Sequence, residues 1–222
     1  MQTLASSFSS LRGYQPSEAE RAANAAAIER NRAAVEARHD AELARCRLAR
    51  TRVPAGYRTA RAEGNAWACA ILDRLPRGTW LCGASGIGKT HAACAAAMEL
   101  ALRGERVRFV TAEQVLADAR SLRDEGADVR AWWAAPYLLV VDDADKLLEA
   151  RGFGVAQLFA ISDARQGMPT VWTANVGYRE LAAGITAAAG AGRAAPIVSR
   201  IQGACGAALV ATGRDLRLDG WS

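Results

Sequence analysis

The chain has 222 residues, of which 51% are hydrophobic and 23% are charged, a composition typical of a folded domain with an appendage. No apolar run reaches the roughly 18 residues that a membrane-spanning helix needs, and the first residues lack the pattern of a signal peptide. We therefore expect a cytoplasmic protein with no membrane partner. The net charge of +5 permits binding to nucleic acid without requiring it. The five cysteines form no CxxC pair, so the sequence gives no indication of a zinc site.

The N-terminal region is predicted to be helical after a serine-rich start. Residues 1–15 have the composition of a disordered segment. Ser17 and Glu20 form the pattern of a capping box, and no Gly or Pro follows until Pro54, which predicts one long helix. Its large apolar residues are too sparse to pack a globular core. The helix is therefore either solvated along its length or a docking helix for a partner protein, and its mixed charges do not decide between these.

Pro54 and Gly56 end this helix and mark a boundary between two domains, residues 1–52 and 53–222. The second domain alternates helical and strand patterns, which predicts a parallel sheet flanked by helices. One of its runs, "YLLVVDD", is apolar enough for a strand that is buried on both faces. Strands are predicted at residues 79–82, 106–111, 137–143, 169–175 and 207–212, and helices at residues 65–75, 88–102, 112–123, 128–134 and 153–165, with residues 197–202 at the end of a further helix.

A phosphate-binding loop follows the first predicted strand. The stretch "GASGIGKT" has the spacing G-x-x-x-x-G-K-T and lies between a strand and a helix, as such a loop requires. Its glycines allow backbone turns in which successive N–H groups point at phosphate oxygens. Lys89 is expected to reach the phosphates of ATP or ADP, and Thr90 to bind Mg²⁺ through its hydroxyl. The residues predicted to bind the nucleotide here are Gly83, Ala84, Ser85, Gly86, Ile87, Gly88, Lys89, Thr90 and His91.

Acidic residues end the strand predicted at residues 137–143, and this edge of the sheet should face the phosphate loop. Asp142 is expected to hold Mg²⁺ together with Thr90. Asp143 has the position from which a carboxylate can polarise the attacking water. Asp145 is a third acid nearby, for which helix capping is the favoured role.

Another predicted strand, "PTVWTAN", also ends in a polar residue at this edge of the sheet. Asn175 is a candidate for holding the attacking water near the γ-phosphate, with Thr173 as its support. The alternative is that Asn175 only serves the turn after the strand.

Three motifs in this order, "GASGIGKT", "LLVVDD" and "TAN", resemble those of an AAA+ ATPase. The resemblance is narrowed to DnaC/DnaI-type replicative helicase loaders by "VPAGYR", "GKTH", the paired acids, and "IVSRI" followed by "GRDLR". The IstB-type helper ATPases of transposition share these features. The resemblance covers residues 53–218 and implies an α/β fold, a P-loop AAA+ core with a parallel sheet flanked by helices. Because the chain ends soon after the last predicted strand, we expect no separate helical lid.

The resemblance implies further residues at the nucleotide. Arg200 matches an arginine finger that acts on ATP held by a neighbouring subunit, which implies self-association through this residue. Tyr57 and Arg58 match residues that flank the adenine. Arg217 matches an Arg near the chain end that senses the nucleotide.

The resemblance also implies a path for single-stranded DNA. Residues 117–133 match an extra helical segment that lines this path in the loaders. The candidates for contact with DNA phosphates in it are Arg120, Arg123 and Arg130. For Trp132 and Trp133, packing in the core is favoured over stacking on bases.

Two departures from the family pattern bear on function. The second acid is Asp143 where most AAA+ proteins have Glu, and its shorter side chain predicts slow hydrolysis. The N-terminal region carries no cluster of cysteines of the kind that forms a zinc module in some loaders. The long helix must then recognise the partner.

The leading hypothesis is an ATPase that binds a replicative hexameric helicase through the N-terminal helix and delivers it onto single-stranded DNA during replication initiation. The compact chain suggests a phage or mobile-element source. One alternative is a transposition helper ATPase that acts on duplex DNA with a transposase. Another is a nucleotide-gated adaptor with negligible hydrolysis. The ATPase motifs fit all three, so the sequence leaves them open.

Overall fold

The structure of the protein is a computed structural model that describes residues 17–215. The predicted disordered segment, residues 1–15, and the predicted nucleotide sensor Arg217 lie outside these residues. The described chain separates into two compact units, one that ends at Arg45 and one that begins at Cys46. A functional boundary between residues 52 and 53 stays a prediction. Between residues 17 and 215, no helix combines the length and the apolar content that crossing a bilayer requires.

The first unit consists of most of one helix, α1 (Glu18–Ala49), which runs on into the second unit. The predicted capping box is present, because the Ser17 backbone N donates to Glu20 Oε2 at 2.8 Å and the Glu20 backbone N donates to Ser17 Oγ at 3.2 Å. Ile28 and Val35 are 68% and 63% exposed, and the helix has no buried residue. The sparse apolar pattern of the sequence therefore corresponds to a helix whose Ile28 and Val35 side chains face solvent, while Leu48 near its end packs against the core of the second unit.

The second unit is built on a parallel sheet, as the sequence predicts. In the described chain it has five strands in the order β2-β3-β4-β1-β5, and every neighbouring pair is parallel. A short 3₁₀ helix, Ala55–Tyr57, precedes the first of its helices, and a second, Ala144–Ala150, follows β3. The strands are β1 (Thr79–Cys82), β2 (Val107–Thr111), β3 (Leu138–Asp142), β4 (Thr170–Ala174) and β5 (Leu209–Val210). The helices are α2 (Ala66–Asp73), α3 (Lys89–Leu102), α4 (Ala112–Asp124), α5 (Val129–Ala134), α6 (Arg151–Ala164), α7 (Tyr178–Ala189) and α8 (Ala191–Cys205).

The sheet is buried on both faces. In β3, Leu138 and Val140 pack with α3 in one apolar layer, while Leu139 and Val141 pack in the other layer with α6, α7 and α8. All five residues of β3 are buried. A strand covered in this way can be apolar at every position, which is why "LLVV" does not alternate with polar residues.

The adjacent tryptophans of α5 are packing residues, as favoured from the sequence. Trp133 is fully buried in the core. Trp132 lies under the guanidinium of Arg108, which is 3.8 Å from the ring centroid and donates to the Trp132 carbonyl oxygen at 2.6 Å. This arrangement leaves the face of Trp132 occupied by Arg108, so base stacking on it would require Arg108 to leave.

Besides the two 3₁₀ helices, which were not predicted, helix α7 and the last strand differ from the sequence predictions. Helix α7 was not predicted, because Gly184 and several alanines obscure the stripe formed by its two buried residues, Leu181 and Ile185. The last strand is shorter than the predicted range 207–212. Within residues 17–215, only Leu209 and Val210 of this range pair with β1, and β5 is the edge strand of the sheet, with no second neighbour to extend it.

Candidate functional site

The phosphate loop connects β1 to the start of α3. Gly83 has a φ of 149°, and a Cβ there would clash with the backbone carbonyl of Ala211. Gly88 has a φ of 94° and caps α3 at its N-terminus. These two positions need the freedom that glycine has. The loop thereby presents backbone N–H groups and the positive end of the α3 dipole at one place, which suits an anionic phosphate.

Lys89 is buried, with 6% of its surface exposed, and its ammonium points back at the loop. Nζ donates to the carbonyl oxygens of Gly83 and Ala84, at 2.9 and 2.7 Å, and to Asn175 Oδ1 at 3.0 Å. The predicted lysine of the loop and the predicted amide at the end of β4 are therefore in direct contact, although 86 residues separate them. A buried ammonium held by neutral oxygens is well placed to receive a phosphate oxygen.

Asp142 lies at the end of β3 and is 7% exposed. Its Oδ1 accepts hydrogen bonds from Thr90 Oγ1 at 2.9 Å and from Thr173 Oγ1 at 2.6 Å. Burial raises the pKa of the Asp142 carboxyl above its usual value, and these two hydroxyl donors oppose that shift. A carboxylate and a hydroxyl side by side are the hard oxygen ligands that Mg²⁺ prefers, so Thr90 and Asp142 fit the metal predicted for them.

Asp143 follows β3 with a left-handed backbone, at a φ of 53°. Its backbone N donates to Thr173 Oγ1 at 2.9 Å, which stabilises this unusual conformation. Its carboxylate forms an ion pair with Lys146, which raises the pKa of the lysine through the hydrogen bond to Asp143. The predicted water-polarising carboxylate thus has a cationic partner that sequence reasoning did not assign.

Lys146 lines the same pocket as Lys89. A signal for it was present in the sequence, because these two are the chain's only lysines among 28 basic residues. In a chain that otherwise uses Arg for positive charge, both positions have a lysine, the more compact cation.

Asp145 does not cap a helix through its side chain, contrary to the role favoured from the sequence. Its two carboxylate oxygens accept from the backbone N and from Nδ2 of Asn175, both at 3.2 Å. Because Nδ2 is held in this way, Asn175 turns its Oδ1 toward Lys89. Asp145 therefore orients the amide of Asn175. This contact could not be predicted from the sequence, because 30 residues separate the two.

Tyr57 and His91 also line the pocket, with their rings 6.3 Å apart in an edge-on arrangement. His91 Nδ1 also pairs with the side chain of Asn65 at 3.2 Å. The structure does not bring Arg58 into the pocket, because its Nε donates to the Val53 carbonyl oxygen at 3.2 Å. The cavity has a volume of about 170 Å³, and its lining comprises Tyr57, Ser85, Gly86, Gly88, Lys89, Thr90, His91, Asp143, Lys146 and Asn175.

Arg200 lies on α8 and is absent from the lining of this pocket. Its guanidinium stacks over Phe159 at 4.9 Å from the ring centroid, and its Nε is 3.8 Å from Asp163. Arg130, a predicted DNA contact, pairs with the same Asp163 at 2.8 Å. One carboxylate therefore holds both arginines.

The other two predicted DNA contacts lie on α4. Arg120 stacks over the Phe153 ring at 5.0 Å, and Arg123 is 3.5 Å from its neighbour Asp124. Both residues are exposed. Neither is held by a buried partner, so each can turn toward a ligand at small cost.

Several solved structures share this fold. The crystal structure of the DnaC helicase loader is 19% identical, with a TM-score of 0.55 over 72% of this chain and 100% of that one. The structure of DnaI is 21% identical, with a TM-score of 0.56 over 74% of this chain and 94% of that one. DnaA from Aquifex aeolicus bound to AMPPCP is 18% identical, with a TM-score of 0.56 over 75% of this chain and 53% of that one. This chain spans about half the length of the DnaA structures that it matches.

A search of curated proteins gave no match. A family model described as "IstB-like ATP binding protein" matches residues 74–189, more than half of the chain. The match begins before β1 and ends with α7, so it contains the pocket from the phosphate loop to Asn175. Because this family model matches more than half of the chain, the chain belongs to the IstB-like family of ATP-binding proteins.

Proposed function

We propose that this protein is an ATP-dependent loader that binds a replicative hexameric helicase and delivers it onto single-stranded DNA. The observation that carries the proposal is the extent of the similarity to loader structures, which reaches 100% of the DnaC structure and 94% of the DnaI structure. The similarity to the DnaA structures reaches only about half of their length. The family match to ATP-binding proteins supports the nucleotide dependence.

The nucleotide site would work with the groups that meet in the pocket. Lys89 would exchange its loop carbonyl partners for phosphate oxygens, and Thr90 and Asp142 would hold Mg²⁺, which neutralises charge on the phosphates. Asp143 would accept a hydrogen bond from the attacking water and polarise it. Asn175, oriented by Asp145, would position the same water.

Arg200 would complete the site of a neighbouring subunit. Its absence from the lining of its own pocket supports a role in trans, since a finger needs to reach a γ-phosphate that its own subunit does not hold. The interaction is heterologous, because the pocket of one subunit meets α8 of the next, and such contacts build rings or spirals.

Helix α1 would dock on the helicase. Its apolar Ile28 and Val35 are exposed on a helix that otherwise carries mixed charges, which suits contact with another helical protein. Arg120, Arg123 and Arg130 would contact the phosphates of single-stranded DNA.

The proposal is tested by co-purification with a replicative helicase and by hydrolysis of ATP with and without single-stranded DNA. We expect deletion of residues 1–45 to abolish helicase binding and to leave ATP binding intact, because the second compact unit begins at Cys46. A Lys89→Ala variant controls for hydrolysis by contaminants. An intact helicase affinity after the deletion would contradict the assignment of α1.

A second candidate function is that of a transposition helper ATPase on duplex DNA. The match to the IstB-like family favours it. Co-purification with a transposase, together with stimulation of ATP hydrolysis by duplex but not by single-stranded DNA, would support this function over the loader.

A further inference from the structure

A second pocket, here named the arginine pocket, lies at the opposite edge of the sheet from the nucleotide. It begins where α1 ends and where β2 and β3 start, whereas Asp142 and Asn175 follow the carboxyl ends of β3 and β4. Its volume is about 360 Å³. Its lining comprises Arg47, Arg50, Gly104, Glu105, Arg106, Val107, Arg108, Ala135 and Pro136.

The charge of the arginine pocket is strongly unbalanced. Four arginines and one glutamate line it, which gives a net formal charge of +3. Among residues 17–215, neither Arg50 nor Arg106 has a carboxylate within ion-pair distance, and both are exposed. Arg47 donates to the Leu102 carbonyl oxygen at 3.4 Å, a neutral partner. These guanidiniums therefore keep most of their donors for a ligand.

Arg108 adds a charge that is fixed in place and partly buried. It is held over Trp132 and by the carbonyl oxygen of that residue, without a carboxylate in ion-pair distance inside the described chain. Burial lowers its pKa, the positive charge of Arg52 nearby adds to the shift, and the carboxylate of Asp118 opposes it. Arg52 itself pairs with Asp118. A partly buried guanidinium with no carboxylate in ion-pair distance is only partly compensated, and an anionic ligand in direct contact would stabilise it.

We propose that the arginine pocket binds the phosphodiester backbone of DNA, as a second contact beyond the arginines of α4 and α5. A guanidinium group can donate two parallel N–H···O hydrogen bonds to the oxygens of one phosphate. Arg is therefore the side chain best suited to bind phosphate. The net charge of +3 is larger in magnitude than the single negative charge of one phosphodiester group. The pocket therefore suits several consecutive phosphates. The inference rests on the proposed DNA-binding function and deepens it by adding a site far from the nucleotide.

The test compares two double variants that change the net charge equally. Arg50→Glu with Arg106→Glu reverses two charges in the arginine pocket. Arg38→Glu with Arg179→Glu reverses two exposed charges on α1 and α7, which also lack an ion-pair partner within the described chain. Fluorescence anisotropy of a labelled DNA strand measures the affinity of the full chain at several salt concentrations, with a non-hydrolysable ATP analogue present. Circular dichroism confirms that both variants are folded.

We expect the pocket variant to bind DNA at least about tenfold more weakly than wild type. The slope of log affinity against log salt should become less steep by about 1.4, the value for two lost phosphate contacts with a single strand. The control variant should keep both quantities close to those of wild type. Equal losses in the two variants would show a general charge effect and overturn the proposal. A loss seen only with RNA of the same sequence would overturn the assignment to DNA.

Two further outcomes separate this inference from the proposed function. If wild type binds DNA and the pocket variant keeps its affinity and salt slope, the arginine pocket is not a DNA site while the loader function stands. If wild type binds no DNA, the DNA-dependent function and this inference both fail. Titration calorimetry with inorganic phosphate provides the remaining arm, because phosphate binding lost in the pocket variant with unchanged DNA affinity would identify a site for small anions and overturn the proposal.

Discussion

Lys146 donates a hydrogen bond to the carboxylate of Asp143 at 2.5 Å, and both residues line the nucleotide pocket. The ion pair occupies one oxygen of the Asp143 carboxylate and holds the side chain toward Lys146, so this oxygen is not available to bind a water molecule. In this arrangement the carboxylate that we propose for water activation is restrained. Low basal hydrolysis would then have a second cause besides the shorter side chain of Asp.

We predict that Lys146→Ala raises basal ATP turnover a few-fold, since it releases the Asp143 carboxylate. Lys146→Arg keeps a cation at this position and serves as the matched control, with turnover near that of wild type. Steady-state hydrolysis at saturating ATP measures the effect. A drop in kcat for Lys146→Ala would mean instead that the lysine contacts the transferred phosphate.

Asp145 is predicted to act as a positioning residue through Asn175. Asp145→Ala should lower kcat by about tenfold while leaving KM for ATP close to its wild-type value, because the amide loses its orientation but the phosphate loop is unchanged. Asp145→Asn retains an oxygen that can accept from Asn175 and should recover part of the activity. Equal changes in KM and kcat would point to damage to the whole pocket.

The buried carboxyl of Asp142 makes stability depend on pH in the absence of nucleotide. Its pKa is raised by burial, so the folded state retains a proton that the unfolded state has already lost. The contribution of this group to the free energy of unfolding therefore falls as the pH rises from the unfolded pKa through the raised folded one. We expect Asp142→Asn to melt at or above the wild-type temperature at neutral pH, with an advantage that shrinks as the pH is lowered.

Thermal denaturation followed by circular dichroism across this pH range measures the difference. The same variant should lose the stabilisation that Mg²⁺ and ATP together give to wild type, because an amide is a weaker ligand for the metal. An Asp142→Asn protein that is less stable than wild type at neutral pH would show that the hydrogen bonds from Thr90 and Thr173 outweigh the burial of the charge.

Mixing experiments should reveal whether Arg200 acts in trans. Arg200→Ala and Lys89→Ala proteins should each hydrolyse little ATP, since every site in either assembly lacks one group. In an equal mixture, about a quarter of the heterologous interfaces would join an intact Lys89 to an intact Arg200, and activity should recover accordingly. A mixture as inactive as its components would count against the neighbouring-subunit role.

The parts of the fold that could be predicted are those in which one local pattern has one structural solution. The strand Thr79–Cys82 was predicted with its exact bounds, because a short apolar run directly before a phosphate loop is confined by the loop. Helix α7 was missed since its buried stripe consists of two residues only. The position of α7 depends on the core residues against which Leu181 and Ile185 pack. These contacts are long-range, so a local sequence pattern does not predict them.

Within the site, too, the features that follow from a local pattern could be predicted, and those that depend on long-range contacts could not. Thr90 and Asp142 were both predicted to hold Mg²⁺, and the structure places them in direct contact, because a phosphate loop and the adjacent strand end have a recurrent geometry. The contacts of Asp145 and Lys146 could not be predicted. Both residues lie on the 3₁₀ helix that follows the left-handed turn at Asp143, and that turn is stabilised by a threonine from another strand.

That threonine, Thr173, joins the two acids of the site through a single hydroxyl. Its one proton is donated to Asp142, while its oxygen accepts the backbone N–H of Asp143. If a metal draws Asp142 away, the hydroxyl must find another acceptor, and the support of the Asp143 backbone changes at the same moment. Through this shared hydroxyl, we expect a cation that binds Asp142 to change the orientation of the Asp143 carboxylate as well, so that the two acids respond to a ligand together.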